Sequence, residues 1–148
     1  MSKKKGCGSY LTLLSEAEKM LSSAIAEYDE AAKLGDSVKL RKACEAGWLA
    51  IVKASDAVLE ASGVGAGKSH KDRRMKLRNL ESSSPEVASL GLRDRHMARM
   101  SYLHIDGFYE GTLDFKEAEE QLGKVKEYLD HAQRAVELLT KRMQSTRS

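Results

Sequence analysis

A glycine-rich stretch of the sequence holds the residue types that bind phosphate groups. Residues 62–69 read SGVGAGKS, which differs at one position from the loop pattern G-x-x-x-x-G-K-[ST]. In that loop the backbone amides surround the phosphates, while the lysine and the hydroxyl reach phosphate and magnesium. Here Ser62 occupies the position of the first glycine, and a helical pattern rather than a strand precedes the loop. The stretch therefore predicts a helix connection, with a degenerate P-loop for nucleotides as the alternative.

The sequence has four histidines that are candidates for metal binding or proton transfer: His70, His96, His104 and His131. No two of them are four residues apart, and no Glu-x-x-His pair occurs on the long helical segments. Zinc sites and di-iron helical bundles depend on such spacings, because they place two ligands on one helix face. We therefore predict no metal and no cofactor.

Basic side chains are concentrated in the middle of the chain. Residues 68–99 contain nine lysines and arginines against four acidic residues, whereas the whole chain has 25 against 22. A local positive zone attracts nucleic acid and other anions, and the alternative is a solvated helix face. The candidate anion-binding residues are Lys68, Lys71, Arg73, Arg74, Lys76 and Arg78.

Hydrophobic residues recur at alternating steps of three and four, which indicates amphipathic helices. Stripes of this kind cover residues 10–33, 38–61 and 115–143, and further helices are expected over 70–80 and 85–109. The last stripe keeps nine hydrophobic positions in phase and predicts coiled-coil-like packing against another helix. We predict an all-α fold, an antiparallel four-helix bundle with an additional short helix.

Length and composition agree with one helical domain. The 148 residues include 5% aromatics and a single proline, which favours helices over sheets. We expect one domain over residues 10–143, with a flexible basic tail at 1–9 and a flexible tail at 144–148. No apolar run approaches the roughly 20 residues that span a bilayer, and no hydrophobic core follows the N-terminal lysines as in a secretory signal. Two cysteines make no disulfide framework, so we expect a cytoplasmic protein without a membrane partner.

His104 lies on the helix expected over residues 85–109. At about 100° per residue, Arg93 lies on nearly the same side as His104, whereas Arg99 is about 140° round the helix. Because His104 shares one face of this helix mainly with hydrophobic residues, it points inward or into a groove. The alternative is a buried histidine bonded to a carbonyl or carboxylate. The residues that this count places on one face with His104 are Leu90, Met97, Met100, Ser101 and Phe108.

Three segments, taken in order, resemble the archaeal PaREP family. They are KACEAGWLAIVKASDAV at 42–58, the Ser-His pair with its basic helix from residue 69, and LHIDGFYEG at 103–111. The family is related to the HEPN group of helical bundles, so the resemblance implies a four-helix bundle that often pairs with itself. Its signature residues either line a groove with His104 or pack against neighbouring helices. They are Trp48, Phe108, Tyr109 and Glu110.

Some HEPN proteins are metal-independent ribonucleases with an Arg-x(4–6)-His motif, in which the arginine holds the phosphate and the histidine transfers a proton. Only Arg99 and His104 have this spacing here, and Met100 stands where that family has a polar residue. The resemblance thus implies an endoribonuclease that uses His104 with Arg99 or Arg93 as the alternative function.

Other relatives in the HEPN group bind rather than cleave, as partners of a nucleotidyltransferase subunit or as assembly modules. The motif here is incomplete, and the last helix carries a long apolar seam. We therefore predict a homodimeric binding or assembly protein. In this interpretation the basic central segment binds RNA or nucleotide.

Overall fold

The computed structural model describes the backbone of residues 5–147 and the side chains of residues 9–141. Within those residues every regular element is helical, which confirms the predicted all-α class. An 11-residue π-helix, Met100–Glu110, follows directly on the fifth α-helix, and we call it the π segment. The α-helices are α1 (Lys5–Leu34), α2 (Ser37–Ser62), α3 (His70–Ser83), α4 (Pro85–Ala88), α5 (Leu92–Arg99) and α6 (Phe115–Arg147).

The first two helices are joined by a two-residue turn, Gly35-Asp36. Gly35 has φ +64°, the left-handed conformation that ends a helix at little cost for glycine. The Asp36 carboxylate then accepts hydrogen bonds from the backbone amides of Val38 and Lys39, both at 3.0 Å. This cap satisfies amides that have no partner inside α2, so the chain reverses and α2 packs along α1.

The second helix lies at the centre of the molecule and contacts α1, α3, α5, α6 and the π segment. Gly47 lets α6 approach closely, since a Cβ at that position would lie 2.7 Å from Leu122 Cδ2. From Ala118 to Leu139 the seam predicted on α6 packs inside the chain, which confirms its packing against another helix and leaves this part closed to a second copy, while the side chain of Met143 lies outside the described residues. The buried seam residues are Ala118, Leu122, Val125, Leu129, Ala132, Val136 and Leu139.

The single helix expected over residues 85–109 is wrong, because the chain forms α4, α5 and the π segment there. Gly91 has φ +65° and separates α4 from α5. In the π segment the hydrogen bonds run from i to i+5, so a count at 100° per residue no longer applies. Leu103 and Gly107 are buried in the π segment, whereas Ser101, which the α-helical count placed on the inner face, is exposed.

The helices extend into both segments expected to be tails. The first helix begins at Lys5 and α6 ends at Arg147, while residues 1–4 and 148 lie outside the described residues. No proline or glycine interrupts residues 144–147, so nothing in that sequence ends α6 earlier. The buried hydrophobic residues form one core, and no described helix is both long enough and apolar enough to cross a bilayer.

Close packing of the π segment on α2 generates a stability prediction. A Cβ at Gly107 would lie 2.8 Å from both Cβ and Sγ of Cys44, whereas a Cβ at Gly123 on α6 would meet no atom within 4 Å. We expect Gly107→Ala to cost about 1–3 kcal/mol of unfolding free energy because the two backbones must separate. The matched control Gly123→Ala should gain about 0.5–1 kcal/mol from helix propensity. Urea denaturation measures both, and equal stability of the two variants would contradict the packing.

Candidate functional site

One buried indole ring gathers side chains from three other elements. Trp48 of α2 is 1% exposed, and its ring centroid lies 5.6 Å from that of His70, 5.0 Å from that of His96 and 5.6 Å from that of His104. These histidines belong to α3, α5 and the π segment respectively. We call the four residues the histidine–tryptophan cluster. Trp48 is thus a packing residue of the core, and it brings together two histidines that sequence reasoning had not connected with His104.

His104 forms the open side of the cluster. Its Nδ1 lies 2.9 Å from Oε1 of Glu45, and the two side chains are 16% and 22% exposed. The His104 ring also lies 4.9 Å from the ring of Tyr109, which is 64% exposed, and 5.3 Å from that of His70. A carboxylate at Nδ1 favours a proton on that nitrogen and leaves Nε2 for proton transfer or for a ligand. Glu45 lies in the 42–58 segment that carries the resemblance, but nothing in the sequence pairs it with His104, because the contact depends on the turn of the π segment.

His96 forms the closed side of the cluster. It is 1% exposed, and its Nδ1 lies 2.7 Å from Oγ of Ser55, which in turn lies 2.6 Å from the hydroxyl of Tyr128. Burial, reinforced by the charges of Arg73 and His70, lowers the pKa of His96 to about 3. The imidazole is therefore neutral near pH 7, and this chain of hydrogen bonds is a part of the core.

His70 lies at the start of α3 and is exposed to solvent. Partial burial lowers the pKa of His70, and the charges of His104 and Arg73 lower it further. Two imidazoles therefore face each other at the surface, His104 paired with a carboxylate and His70 without an ion pair among the described residues. Imidazoles of this kind serve as general acids and bases or as hydrogen-bonding partners of a ligand.

The glycine-rich loop binds carboxylates of its own chain. The backbone amide of Ala66 donates to Glu60 Oε2 at 2.9 Å, and that of Gly67 donates to Asp56 Oδ1 at 3.0 Å. The amide of Lys68 donates to Asp72 Oδ2 at 2.8 Å. Amides that would surround a phosphate in a P-loop are thus already paired, and the preceding element is α2 rather than a strand. This geometry favours the helix-connection interpretation.

The six basic candidates of residues 68–78 divide into two groups. Arg73 is 7% exposed, and its Nε and Nη2 donate to the carboxylate of Asp56 at 2.8 and 3.2 Å. Nζ of Lys76 donates to the carbonyl of Ala66 at 3.1 Å and lies 3.3 Å from Asp72. These two cations hold the glycine-rich loop in place. The four that reach solvent are Lys68, Lys71, Arg74 and Arg78.

No described hydrogen bond joins His104 to either arginine of the predicted pair. Arg99 is 7% exposed, its guanidinium carbon lies 5.9 Å from the ring centroid of Tyr102, and the charge of Glu127 on α6 acts on it. His104 instead pairs with a carboxylate of α2, and no described hydrogen bond joins it to Arg99. Arg93 is half-buried, and its backbone amide donates to a carboxylate of α3 at 3.1 Å. The described hydrogen bonds of His104 and Arg93 thus lead to other residues.

The end of the π segment is tied to α2. The guanidinium of Arg41 donates to the carbonyls of Phe108 and Tyr109, at 2.8 and 2.6 Å. The backbone of this segment thus anchors the helix end, and the ring of Tyr109 lies beside His104. Glu110 is exposed. A shallow cavity of about 300 Å³ is lined by Val38, Arg41, Lys42, Phe108 and Tyr109.

Comparison with known proteins gives no assignment. No family model matches this sequence, and no similar curated protein or solved structure was found. Among the residues that the structure describes, no group of three or more histidine, cysteine, aspartate or glutamate side chains could hold a metal ion. The resemblance to the PaREP family stays a prediction.

Burial of His96 makes the stability of the fold depend on pH. The pKa of His96 is about 3 in the folded chain, against an ordinary value of 6.5, so the unfolded chain binds more protons between these limits. This contribution to stability is present above pH 6.5 and is lost as the pH falls towards 3. We expect His96→Gln to flatten the decline in unfolding free energy by about 1.4 kcal/mol per pH unit below pH 6.

Urea denaturation at a series of pH values measures this effect. The control Ser55→Ala removes the hydrogen-bond partner of His96 but leaves the imidazole buried, so it should lower stability and keep the wild-type dependence on pH. An unchanged slope in His96→Gln would show that His96 does not cause the decline.

Proposed function

We propose that this protein is a PaREP/HEPN-like helical-bundle protein that binds RNA or nucleotide. One observation carries the proposal: His70, at the start of the basic helix α3, lies 5.3 Å from His104 of the π segment, measured between ring centroids. This contact connects the exposed basic residues beside His70 with the exposed ring of Tyr109. We define the binding surface as Lys68, His70, Lys71, His104 and Tyr109.

The chemistry of this surface suits a single strand or a nucleotide. Bases stack on exposed aromatic rings, and Tyr109 is 64% exposed. Phosphates are neutralised by lysines, and Lys68 and Lys71 are both exposed. Arg41 and Lys42 line the shallow cavity together with Tyr109. Cations close to a stacking ring suit a ligand that alternates bases with phosphates.

The bundle type and the homodimer are further parts of the proposal. The two-residue turn between α1 and α2 and the packing of α6 on α2 support an antiparallel four-helix bundle built from α1, α2, the α5–π unit and α6. The homodimer is supported by the resemblance alone, because the seam of α6 is buried within the chain. Sedimentation at micromolar concentration should give a dimer, and a monomer would remove this part. A nucleotidyltransferase partner and a cytoplasmic location stay predictions.

Binding is measurable through Trp48, the single tryptophan, because its ring contacts both His70 and His104. We expect labelled single-stranded RNA to change the tryptophan fluorescence and to bind more weakly as salt increases. Loss of base stacking in Tyr109→Ala should weaken binding about tenfold, at the lower end of the 1–3 kcal/mol for one stacked base. Lys68→Ala with Lys71→Ala should lower the salt slope by about 1 to 2.

The matched control is Lys141→Ala, which removes an exposed lysine near the far end of α6. It should bind as the wild type does. The proposal fails if the wild type does not bind RNA or any nucleotide, or if Lys141→Ala weakens binding as much as the paired lysine variant.

A metal-independent endoribonuclease is the second candidate, favoured by the His104–Glu45 pair. The carboxylate orients the imidazole through Nδ1, and Nε2 is left to take a proton from a 2′-hydroxyl. His70, 5.3 Å away between ring centroids, could supply a proton to the leaving oxygen. The resemblance assigns the phosphate to Arg99 or Arg93, and neither has a described hydrogen bond to His104.

Incubation of labelled RNA with the protein in a chelator separates the two functions. The binding proposal predicts that the RNA is recovered intact after stoichiometric binding. Cleavage that falls by a factor of roughly 10²–10⁴ in His104→Ala, and also falls in Glu45→Gln, would establish the ribonuclease instead. Cleavage that survives both substitutions would come from a contaminating enzyme, so the binding proposal would stand.

A further inference from the structure

An open groove lies between α1 and α6. Its volume is about 190 Å³, and its apolar walls are Ile25 and Tyr28 of α1 and Leu122 and Gly123 of α6. The groove exists because α1 packs less extensively on α6 than on α2. Apolar cavities of about 150 Å³ accommodate a benzene molecule in other proteins. The groove is therefore large enough for a small organic molecule.

Gly123 is the feature of this groove that contacts within the protein do not explain. The structure describes the surroundings of nine glycines, and eight of them have either a positive φ or a neighbour less than 3.0 Å from the position of a Cβ. Gly123 has neither, since a Cβ there would meet no atom within 4 Å. A helix with glycine in its interior is less stable than the same helix with alanine. The missing side chain therefore keeps the groove open and eases no contact within the described chain.

The apolar wall on α1 is held in place. The hydroxyl of Tyr28 donates to the carbonyl of Phe115 at 2.8 Å, and the two rings meet edge to face with centroids 6.1 Å apart. The hydroxyl thus has its acceptor, and the ring atoms of Tyr28 offer apolar surface to the groove. Ile25 is 41% exposed and extends this wall. A concave apolar surface favours a ligand with an apolar body, because the contact removes both surfaces from water.

Three charged side chains also line the groove. The carboxylates are Asp29 and Glu119 and the ammonium is Lys126, so the lining carries one net negative charge. In the described part of the chain none of the three has an ion-pair partner within 4.0 Å. Lys126 follows Glu119 by seven residues, about 10 Å along the helix axis, so their charges lie towards opposite ends of the groove. Burial raises the pKa of Tyr28, and the charges of Glu119 and Asp29 raise it further, which agrees with two carboxylates beside this ring.

We propose that the groove between α1 and α6 binds a small primary amine with an apolar body. The ammonium group meets the carboxylates of Asp29 and Glu119, which supply the opposite charge and hydrogen-bond acceptors. The apolar body lies over Gly123 and against the ring of Tyr28. Lys126 opposes a second positive charge at the far end, so the ligand is charged at one end only.

This groove is separate from the surface proposed for RNA or nucleotide binding. It is built from α1 and α6, whereas that surface is built from the glycine-rich loop, α3 and the π segment. No residue of that surface lines the groove. A failure of either proposal therefore leaves the other standing.

The direct test is a titration of the full-length protein with phenethylamine at neutral pH and constant ionic strength, followed by nuclear magnetic resonance. The Cδ1 methyl resonance of Ile25, assigned by its loss in Ile25→Val, should shift and saturate. Phenethyl alcohol, which has the same ring and no charge, should bind more weakly, and the anion phenylpropionate should bind most weakly. An Ile25 resonance that phenethylamine does not move would overturn the proposal. Binding of the alcohol or the anion as tight as that of the amine would overturn it as well.

Filling the groove gives a second test. Gly123→Leu places a side chain in the open space, so phenethylamine should bind about tenfold more weakly or not at all. The variant should fold, because leucine favours a helix and a Cβ at this position meets no atom. The matched control is Gln133→Leu, at an exposed position of α6 outside the groove, which should bind as the wild type does. Unchanged binding by Gly123→Leu, or an equal loss in the control, would contradict the site.

If Gly123→Leu does not fold, nuclear Overhauser contacts in the wild type decide the question. Cross-peaks between the ring protons of phenethylamine and the Ile25 methyl group support the site, and their absence at saturating amine overturns it.

The carboxylates are tested one at a time. Asp29→Asn and Glu119→Gln should each weaken the binding of phenethylamine about two- to fivefold, the effect of losing one exposed ion pair. Neither should alter the binding of phenethyl alcohol. The control Glu120→Gln removes a neighbouring exposed carboxylate that does not line the groove, and it should leave the binding of the amine unchanged. A loss in the control as large as that in Glu119→Gln would overturn the proposal, because the amine would then respond to the general negative charge of the helix.

Discussion

Contact between one indole ring and three imidazoles determines how half of this molecule is arranged. Trp48 is fixed in the middle of α2, and the histidines reach it from α3, α5 and the π segment. The His96 ring meets the indole edge to face, and the rings of His70 and His104 meet it at a tilt, so these contacts stabilise one relative position of the elements that carry them. The open and the closed sides of the cluster differ in solvent access and in partner: His104 meets a carboxylate at the surface, and His96 meets a hydroxyl in the core.

The same helix positions the other polar groups. Its residues Glu45, Ser55, Asp56 and Glu60 hold respectively His104, His96, Arg73 and the glycine-rich loop. Glu45, Asp56 and Glu60 follow one another at steps of eleven and four residues, so they lie along one side of α2, while its small residues allow α6 to approach another side. One helix therefore carries both an apolar interface and a row of hydrogen-bonding partners. The guanidinium of Arg73, which could otherwise bind an anion, is paired with the carboxylate of Asp56 on this side of α2.

Regular hydrophobic patterns predicted the long helices correctly. The contacts of the candidate site were not predicted, because they depend on irregular backbone between residues 85 and 109. The stripe on residues 115–143 is unbroken, and α6 forms there with its seam buried. Residues 85–109 read as one helix because an isolated glycine such as Gly91 is tolerable inside a helix. Gly91 instead adopts a left-handed conformation directly before α5 and separates it from α4, and Gly107 packs against α2 within a π-helix. If the angle per residue assumed for this segment is wrong, the predicted direction of each of its side chains is wrong as well.

Contacts between residues far apart in the chain could not be predicted from the sequence either. Glu45 and His104 are 59 positions apart, and nothing in either segment marks them as partners. The association of His70 with His104 depends on the same packing. The resemblance directed attention to His104 and Tyr109, which do lie together at the surface, but it joined His104 with Arg99 rather than with Glu45. Spacing along a chain predicts neighbours only while the helix keeps its expected turn.

The most direct measurement is a nuclear Overhauser spectrum of the folded protein that resolves the ring protons of Trp48. Ring centroids 5.0–5.6 Å apart place protons of His70, His96 and His104 close enough to Trp48 to give cross-peaks. The account predicts cross-peaks from Trp48 to all three imidazoles in one folded state. Cross-peaks to His96 without those to His70 and His104 would contradict it, because α3 and the π segment would then not meet at this ring.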